Sequence, residues 1–200
     1  LPLQRNLGAK EAKGQWLVFV DADSVLMPYF VNRLSVFIQK SSPKWFTTWC
    51  LPDSDTVNDA IYTLIANIFW ESMFIIKRPA APGPLNCIRR DLFRTVGGYD
   101  ETQAFNEDVE FGLRLAKHGA TLTFLRETLY VCSMRRIRRD GKMKLLNQYI
   151  VAMIPIFLFN RPFKAMPGYI MGGHIYGKKQ QSILKQYEKK FRALLKELFE

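Results

Sequence analysis

The first strong pattern along the chain is Trp16-Leu17-Val18-Phe19-Val20, an unbroken apolar run of strand length. It follows a segment from Gln4 to Lys13 of helix-favouring composition that stops at Gly14. With no polar position inside it, the run reads as a buried, parallel strand that empties into Asp21-Ala22-Asp23-Ser24. A helix is predicted from near Pro28, where Phe30, Leu34, Phe37 and Ile38 fall at i, i+4, i+7 and i+8. The two aspartates therefore stand at the carboxyl end of a strand, the edge at which open α/β sheets bind ligands.

Trp45 to Cys50 is a second strand, and Pro52 to Asp59 is a loop rich in Asp, Pro, Ser and Asn. Ala60 to Ile76 is long and apolar but interrupted by Asn67, Glu71 and Ser72, so it reads as a buried or interfacial helix rather than a membrane span. A Pro/Ala/Gly connector covers Pro79 to Pro84, and a short helix covers Arg89 to Val96, ended by Gly97-Gly98. Another helix covers Glu107 to His118, with Asn106 at its N-cap and Gly119 closing it. Thr121 to Leu125 and Leu129 to Cys132 read as two strands. Strands alternating with helices predict an α/β fold with a mostly parallel sheet flanked by helices.

Beyond Cys132 the pattern changes. A basic cluster, Arg135-Arg136-Ile137-Arg138-Arg139, leads into an apolar stretch from Leu145 to Phe159, and Ile183 to Leu198 has the spacing of an amphipathic helix. Charge marks the same boundary. Residues 1–134 carry equal numbers of acids and bases, so the net +11 of the 200-residue chain lies in residues 135–200. We divide the chain into a catalytic-type domain over 1–134 and a basic, apolar C-terminal extension over 135–200. The extension suits an anionic membrane surface on its cytoplasmic side. Nucleic acid is set aside, because no stacking aromatics are interleaved with the arginines of 135–139.

Cys50, Cys87 and Cys132 are far apart and odd in number, which argues against a disulfide framework or a zinc site and for a reducing setting. His118 and His174 are isolated and read as surface and loop positions. Asp21 and Asp23, two residues apart in an extended segment, would point the same way and face one hard cation, Mg²⁺ or Mn²⁺, on a diphosphate. Glu107 and Asp108 open a helix, where exposed N–H groups favour acids in any protein. The same field is expected to lower the carboxyl pKa and keep Asp108 ionised, ready to accept a proton.

Four segments in order change the weight of these features. They are Arg5-Asn6-x-Gly8; the strand ending Asp21-Ala22-Asp23; Arg89-Arg90-Asp91-Leu92-Phe93 with Val96-Gly97-Gly98-Tyr99-Asp100-Glu101; and Asn106-Glu107-Asp108-Val109-Glu110-Phe111-Gly112-Leu113-Arg114. Together they resemble the family 2 glycosyltransferases of GT-A fold, over roughly residues 4–134.

The resemblance implies an inverting, metal-dependent transfer of a sugar from a nucleotide-diphosphate donor to an acceptor hydroxyl, in cell-surface glycan or glycolipid synthesis. Asp23 matches the aspartate that binds the cation, Asp21 one toward the ribose and the metal's waters, Arg5 a position near the diphosphate, and Asp108 the general base with Glu107 beside it. Arg135 and Arg136 would contact a donor diphosphate or an acceptor phosphate, bidentately. The acceptor class implied is a glycan or a lipid-linked sugar.

Two departures stand out. The first strands of the GT-A nucleotide-binding half have no counterpart before Leu1, so the chain reads as amino-terminally truncated, and the Q-x-x-R-W motif of processive synthases is absent. The competing expectation is a non-catalytic, membrane-associated remnant of such an enzyme.

Overall fold

The computed structural model describes residues 1–75, 78–159 and 161–164. The amphipathic segment Ile183–Leu198 and His174 lie outside the described residues. Helix α1 (Pro2–Glu11) begins with Pro in its first turn and buries Pro2, Arg5 and Ala9 along one face. It is followed by β1 (Trp16–Val20), β2 (Val25–Leu26), α2 (Phe30–Ser41), β3 (Trp45–Pro52), α3 (Val57–Ile75) and β4 (Leu85–Arg89). Then come α4 (Arg90–Thr95), α5 (Glu107–Lys117), β5 (Leu122–Cys132), α6 (Arg135–Asp140) and α7 (Lys142–Phe159).

The five strands of the described residues form one sheet in the order β1-β4-β3-β5-β2. Side-chain alternation divides its core. Trp45 and Ile88 face a cluster with Ala9, Phe93, Phe111 and Leu115 from α1, α4 and α5 and Tyr99 from the turn after α4, while Phe46 and Cys87 face Phe30 and Leu34 of α2. The described part of 135–200 packs onto the same body: Ile156 of α7 meets Ala80, Val109 and Leu113, and Leu145 meets Met134 and Ile137.

The sheet is mixed, not mostly parallel. Only β3 and β5 are parallel; β1–β4, β3–β4 and β2–β5 are antiparallel. The source of the misreading is β4. Leu85-Asn86-Cys87-Ile88-Arg89 carries polar residues that hide its strand character, yet it inserts antiparallel between β1 and β3. Asn86 is buried there because Trp45 Nε1 donates to its Oδ1 at 2.8 Å and its own Nδ2 donates to Tyr99 Oη at 2.8 Å. Strand β1 is consequently an edge strand with Val18 and Val20 exposed, since an apolar run reports length and not the number of neighbours.

The two strands expected over 121–132 are one strand, β5. Its pairing with β3 shifts register around Trp49, and the polar Arg126-Glu127 lies in the irregular stretch. Those residues look like a turn in the sequence. In the structure Arg126 pairs with Glu71 of α3 and Glu127 with Arg33 of α2. The same β3–β5 pairing brings Cys50 and Cys132, 82 residues apart in sequence, to an Sγ–Sγ distance of 3.3 Å.

Candidate active site

The carboxyl ends of β1, β3 and β5 and the start of β4 meet at one sheet edge. Asp21 leaves β1 there with its N–H donating to Pro84 O at 3.1 Å. Ser24 N–H then donates to Asp21 O at 3.0 Å and closes a turn over Asp21–Ser24. The extended geometry expected for the acid pair is thus corrected: the backbone turns, and the two carboxylates take different partners. Asp21 Oδ1 accepts from Arg5 Nη2 at 3.3 Å, and Asp23 Oδ2 accepts from Arg135 Nη2 at 2.8 Å. They still sense one another. Burial raises the Asp21 carboxyl above its ordinary value against the pull of Arg5, and the charges of Asp23 and Glu107 push it the same way as burial.

Arg5 joins the site together from below. Only 8% exposed, it donates from Nη1 to Glu107 Oε1 at 3.2 Å and from Nη2 to Gly83 O at 3.0 Å, besides its bond to Asp21. Its guanidinium carbon lies 5.1 Å from the centroid of the Tyr99 ring. Tyr99 stacks on Phe111 with centroids 4.3 Å apart. Asn6, one residue on, clamps the turn that carries Tyr99: its Oδ1 accepts from Tyr99 N–H and its Nδ2 donates to Tyr99 O, both at 2.9 Å. One turn of α1 thus sets the positions of β1's end, the 79–84 connector and the start of α5.

Asn106 stands at the N-cap position of α5 in the left-handed region, with φ 54°, and its side chain makes no cap bond. Asp108 instead accepts at Oδ1 from the N–H of Val109 at 2.9 Å. Its Oδ2 crowds Gly83, where a Cβ would sit 3.3 Å from it. The expectation of a lowered carboxyl pKa is overturned. Burial against the connector and the charge of Glu107 beside it outweigh Arg5 and the helix N–H groups, and push Asp108 up to about 7. Glu107, 4% exposed, is committed to Arg5.

Helix α6 places both of its leading arginines at this edge. Arg135 holds Asp23, and Arg136 hydrogen-bonds Tyr149 of α7, a phenol that also feels Asp108. The structure therefore brings Arg5, Asp21, Asp23, Glu107, Asp108, Arg135 and Arg136 to one region. Asn6 and Tyr99 lay unremarked inside the motif segments. Gly83 and Tyr149 gave no sequence signal, because each matters through a neighbour distant in the chain.

The acid pair fits a hard divalent cation in donor type: two carboxylates, close enough for one to disfavour ionisation of the other, which a cation would relieve. Beside them the buried Oγ of Ser24 has no hydrogen-bond partner, and the same is true of Asn106 Nδ2 near Asp108. Among the described residues no cluster of three or more His, Cys, Asp or Glu side chains is positioned to hold a metal, so a cation here would rely on water and substrate oxygens for the rest of its shell.

Residues 2–81 match the family model for glycosyl transferase family 2, a span that includes Arg5, Asp21 and Asp23 and stops before Asp108. An uncharacterized glycosyltransferase of Haemophilus influenzae is 23% identical over 139 residues, covering 67% of this chain and 47% of that protein. The chain thus spans about half the length of this curated relative. The crystal structure of S. aureus TarS 1-349 superposes with a TM-score of 0.50 at 17% identity, covering 75% of this chain and 44% of the other, a likeness of fold. The mannosyltransferase PcManGT from Pyrobaculum calidifontis, in complex with GDP-Man and Mn²⁺, gives a TM-score of 0.46 at 17% identity, covering 76% and 44%. Over residues 2–81, from α1 into the 79–84 connector, the chain is similar to the family 2 glycosyltransferases, and its mixed, helix-flanked sheet is like that of TarS in fold.

Proposed function

We propose that this chain transfers a sugar from a nucleotide-diphosphate donor to an acceptor hydroxyl with inversion, with Asp108 as general base and Asp23 and Asp21 toward a Mg²⁺ or Mn²⁺ ion. The observation that carries the reading is Asp108: a carboxyl poised near neutrality, held by α5 at the sheet edge that also bears the acid pair. A base of that pKa takes an acceptor proton efficiently at physiological pH. Arg5 supports it by fixing Glu107 and Asp21 in one frame, so that the donor and acceptor sides are positioned together.

When bound, the cation neutralises charge on the departing diphosphate. Arg135 lies against Asp23 and, with Arg136, can offer bidentate contacts to phosphate oxygens. The acceptor in this reading is a glycan or a lipid-linked sugar in cell-surface glycan or glycolipid synthesis, used at the cytoplasmic face of a membrane. The net +11 of residues 135–200 supports that location by its attraction to anionic lipid.

Titration calorimetry with UDP and GDP, with and without EDTA, tests the donor side. Binding that needs metal, and a loss of that need in Asp23→Ala, is expected; tight binding that ignores metal would remove the assignment. On the acceptor side, Asp108→Asn is expected to retain donor binding and lose about 10²-fold or more in transfer. Full transfer by Asp108→Asn would reduce Asp108 to a helix-capping role.

A further inference from the structure

Helix α3 is turned inside out. Asp59, Thr63 and Asn67, four residues apart, face the protein, and each is satisfied there. Asp59 Oδ2 accepts from Ser54 Oγ at 2.7 Å, Thr63 Oγ1 donates to Asp59 O at 2.8 Å, and Asn67 brackets Cys50 of β3 by accepting from its N–H and donating to its carbonyl. Hydrogen bonds thus dock a large part of this helix on the body. Its opposite stripe, Ile61, Leu64, Ile65, Ile68 and Ile75, is exposed, Ile65 by 61% and Ile75 by 77%. Nothing in the core requires that stripe to be apolar.

Helix α7 repeats the arrangement with an apolar inner face. Leu145, Ala152 and Ile156 are buried, while Leu146, Ile150, Ile154, Phe157 and Leu158 are exposed on the outer side. The two helices are neighbours. Trp70 of α3 and Met153 and Ile156 of α7 belong to one cluster, and Tyr62 of α3 is close enough to Tyr149 of α7 to feel its charge. Exposed apolar surface on two adjacent helices exceeds the scattered single residues normal for a surface.

We infer that the outer faces of α3 and α7 lie in the interfacial layer of an anionic bilayer, parallel to its plane. This rests on the membrane part of the function proposed above and assigns it to specific residues, those of α3 outside the basic extension of 135–200 and those of α7 within it. Charge complementarity selects the occupant: exposed cations bracket the α7 stripe, Lys144 at its start and Arg161 and Lys164 beyond its end, as an anionic headgroup layer would require. No described helix is long and apolar enough to cross a membrane, which fits helices lying flat at the headgroup boundary.

Flotation of the full chain with vesicles of phosphatidylglycerol and phosphatidylcholine tests this. The triple substitution Ile61→Gln, Ile65→Gln, Ile68→Gln on α3, and separately Ile150→Gln with Ile154→Gln on α7, should each lower partitioning about tenfold or more. Thermal melts and calorimetric nucleotide binding should be unchanged, which separates this test from the glycosyltransferase assignment. Partitioning that survives both sets and is lost on Lys189→Gln, Lys190→Gln, Lys196→Gln would leave the membrane reading with the tail and overturn this inference. Absence of flotation by a chain that binds nucleotide overturns both membrane statements. A dimer in analytical ultracentrifugation that the α3 substitutions dissociate would assign the face to a second copy and overturn it equally.

Discussion

Helices α5 and α3 begin alike, each with at least one acid in its first turn after a loop, and they use the two sides of a helix in opposite ways. Helix α5 buries Val109, Phe111, Leu113 and Leu115 in the core, and its acids Glu107 and Asp108 reach the sheet edge only because Arg5, Gly83 and Tyr99 are waiting there. Helix α3 buries Asp59, Thr63 and Asn67, along with Met73, and presents isoleucines outward. A buried charge and an exposed aliphatic row are each unfavourable in an ordinary soluble domain. On α5 the unfavourable groups converge on one another and raise a carboxyl toward neutrality. On α3 the exposed aliphatic row meets no partner within the described residues, and the bilayer inferred above supplies one.

The comparison breaks most readily at Arg5. Arg5→Met would leave Glu107 buried without its cation, and the expected loss is about 3 kcal/mol or more of unfolding free energy in urea titrations. If stability held, the acids of α5 would not be organised through α1. Next in size is the contrast in aliphatic residues. Leu115→Ala on α5 should cost about 3 kcal/mol, because its side chain is fully buried. Ile65→Ala on α3 should stay within about 0.5 kcal/mol in the same assay, as for an exposed site. Equal costs at the two positions would mean that the α3 stripe is covered in solution.

The smallest effect is the pH response of Asp108. With its folded pKa raised to about 7, transfer should rise with pH and level off above neutrality, and Asp108→Asn should remove that limb from what activity remains. Stability runs the other way. The folded chain retains on Asp108 a proton that the unfolded chain loses near its ordinary 3.8, so this contribution is present below that value and is lost as pH rises to about 7. Denaturant titrations from pH 4 to 8 should show the decline in the parent and a shallower one in Asp108→Asn.

Much of the architecture was legible from spacing. The strand at Trp16–Val20, the helices over Phe30–Ser41 and Glu107–Lys117, and the α3 helix announce themselves by period and length. The acids of the candidate site were legible as well, since Asp21, Asp23, Glu107 and Asp108 stand at element ends, where core packing does not explain them. Strand β4 was missed because buried Asn86 takes hydrogen bonds from Trp45 and gives them to Tyr99, partners that no local pattern announces. Gly112 is similar: a Cβ there would come within 2.2 Å of Pro79 O, so the glycine in the α5 motif answers to the connector packed on the helix.

By itself the sequence determined most of the longer helices and strands, though not β4 or the continuity of β5, and also where the charge lies and which acids are candidates for chemistry. These follow from periodicity, composition and element boundaries, all local properties. Only the tertiary structure decided that the sheet is mixed, that Asp21–Ser24 is a turn whose acids divide between Arg5 and Arg135, that Asp108 is raised and not lowered, and that α3 carries its apolar side outward. Each of those depends on which distant residue fills the neighbouring space. Strand direction is set by where the chain re-enters the sheet, and a carboxyl's pKa by the balance of desolvation and charges brought from other elements, neither of which is written in the spacing of residues along one segment.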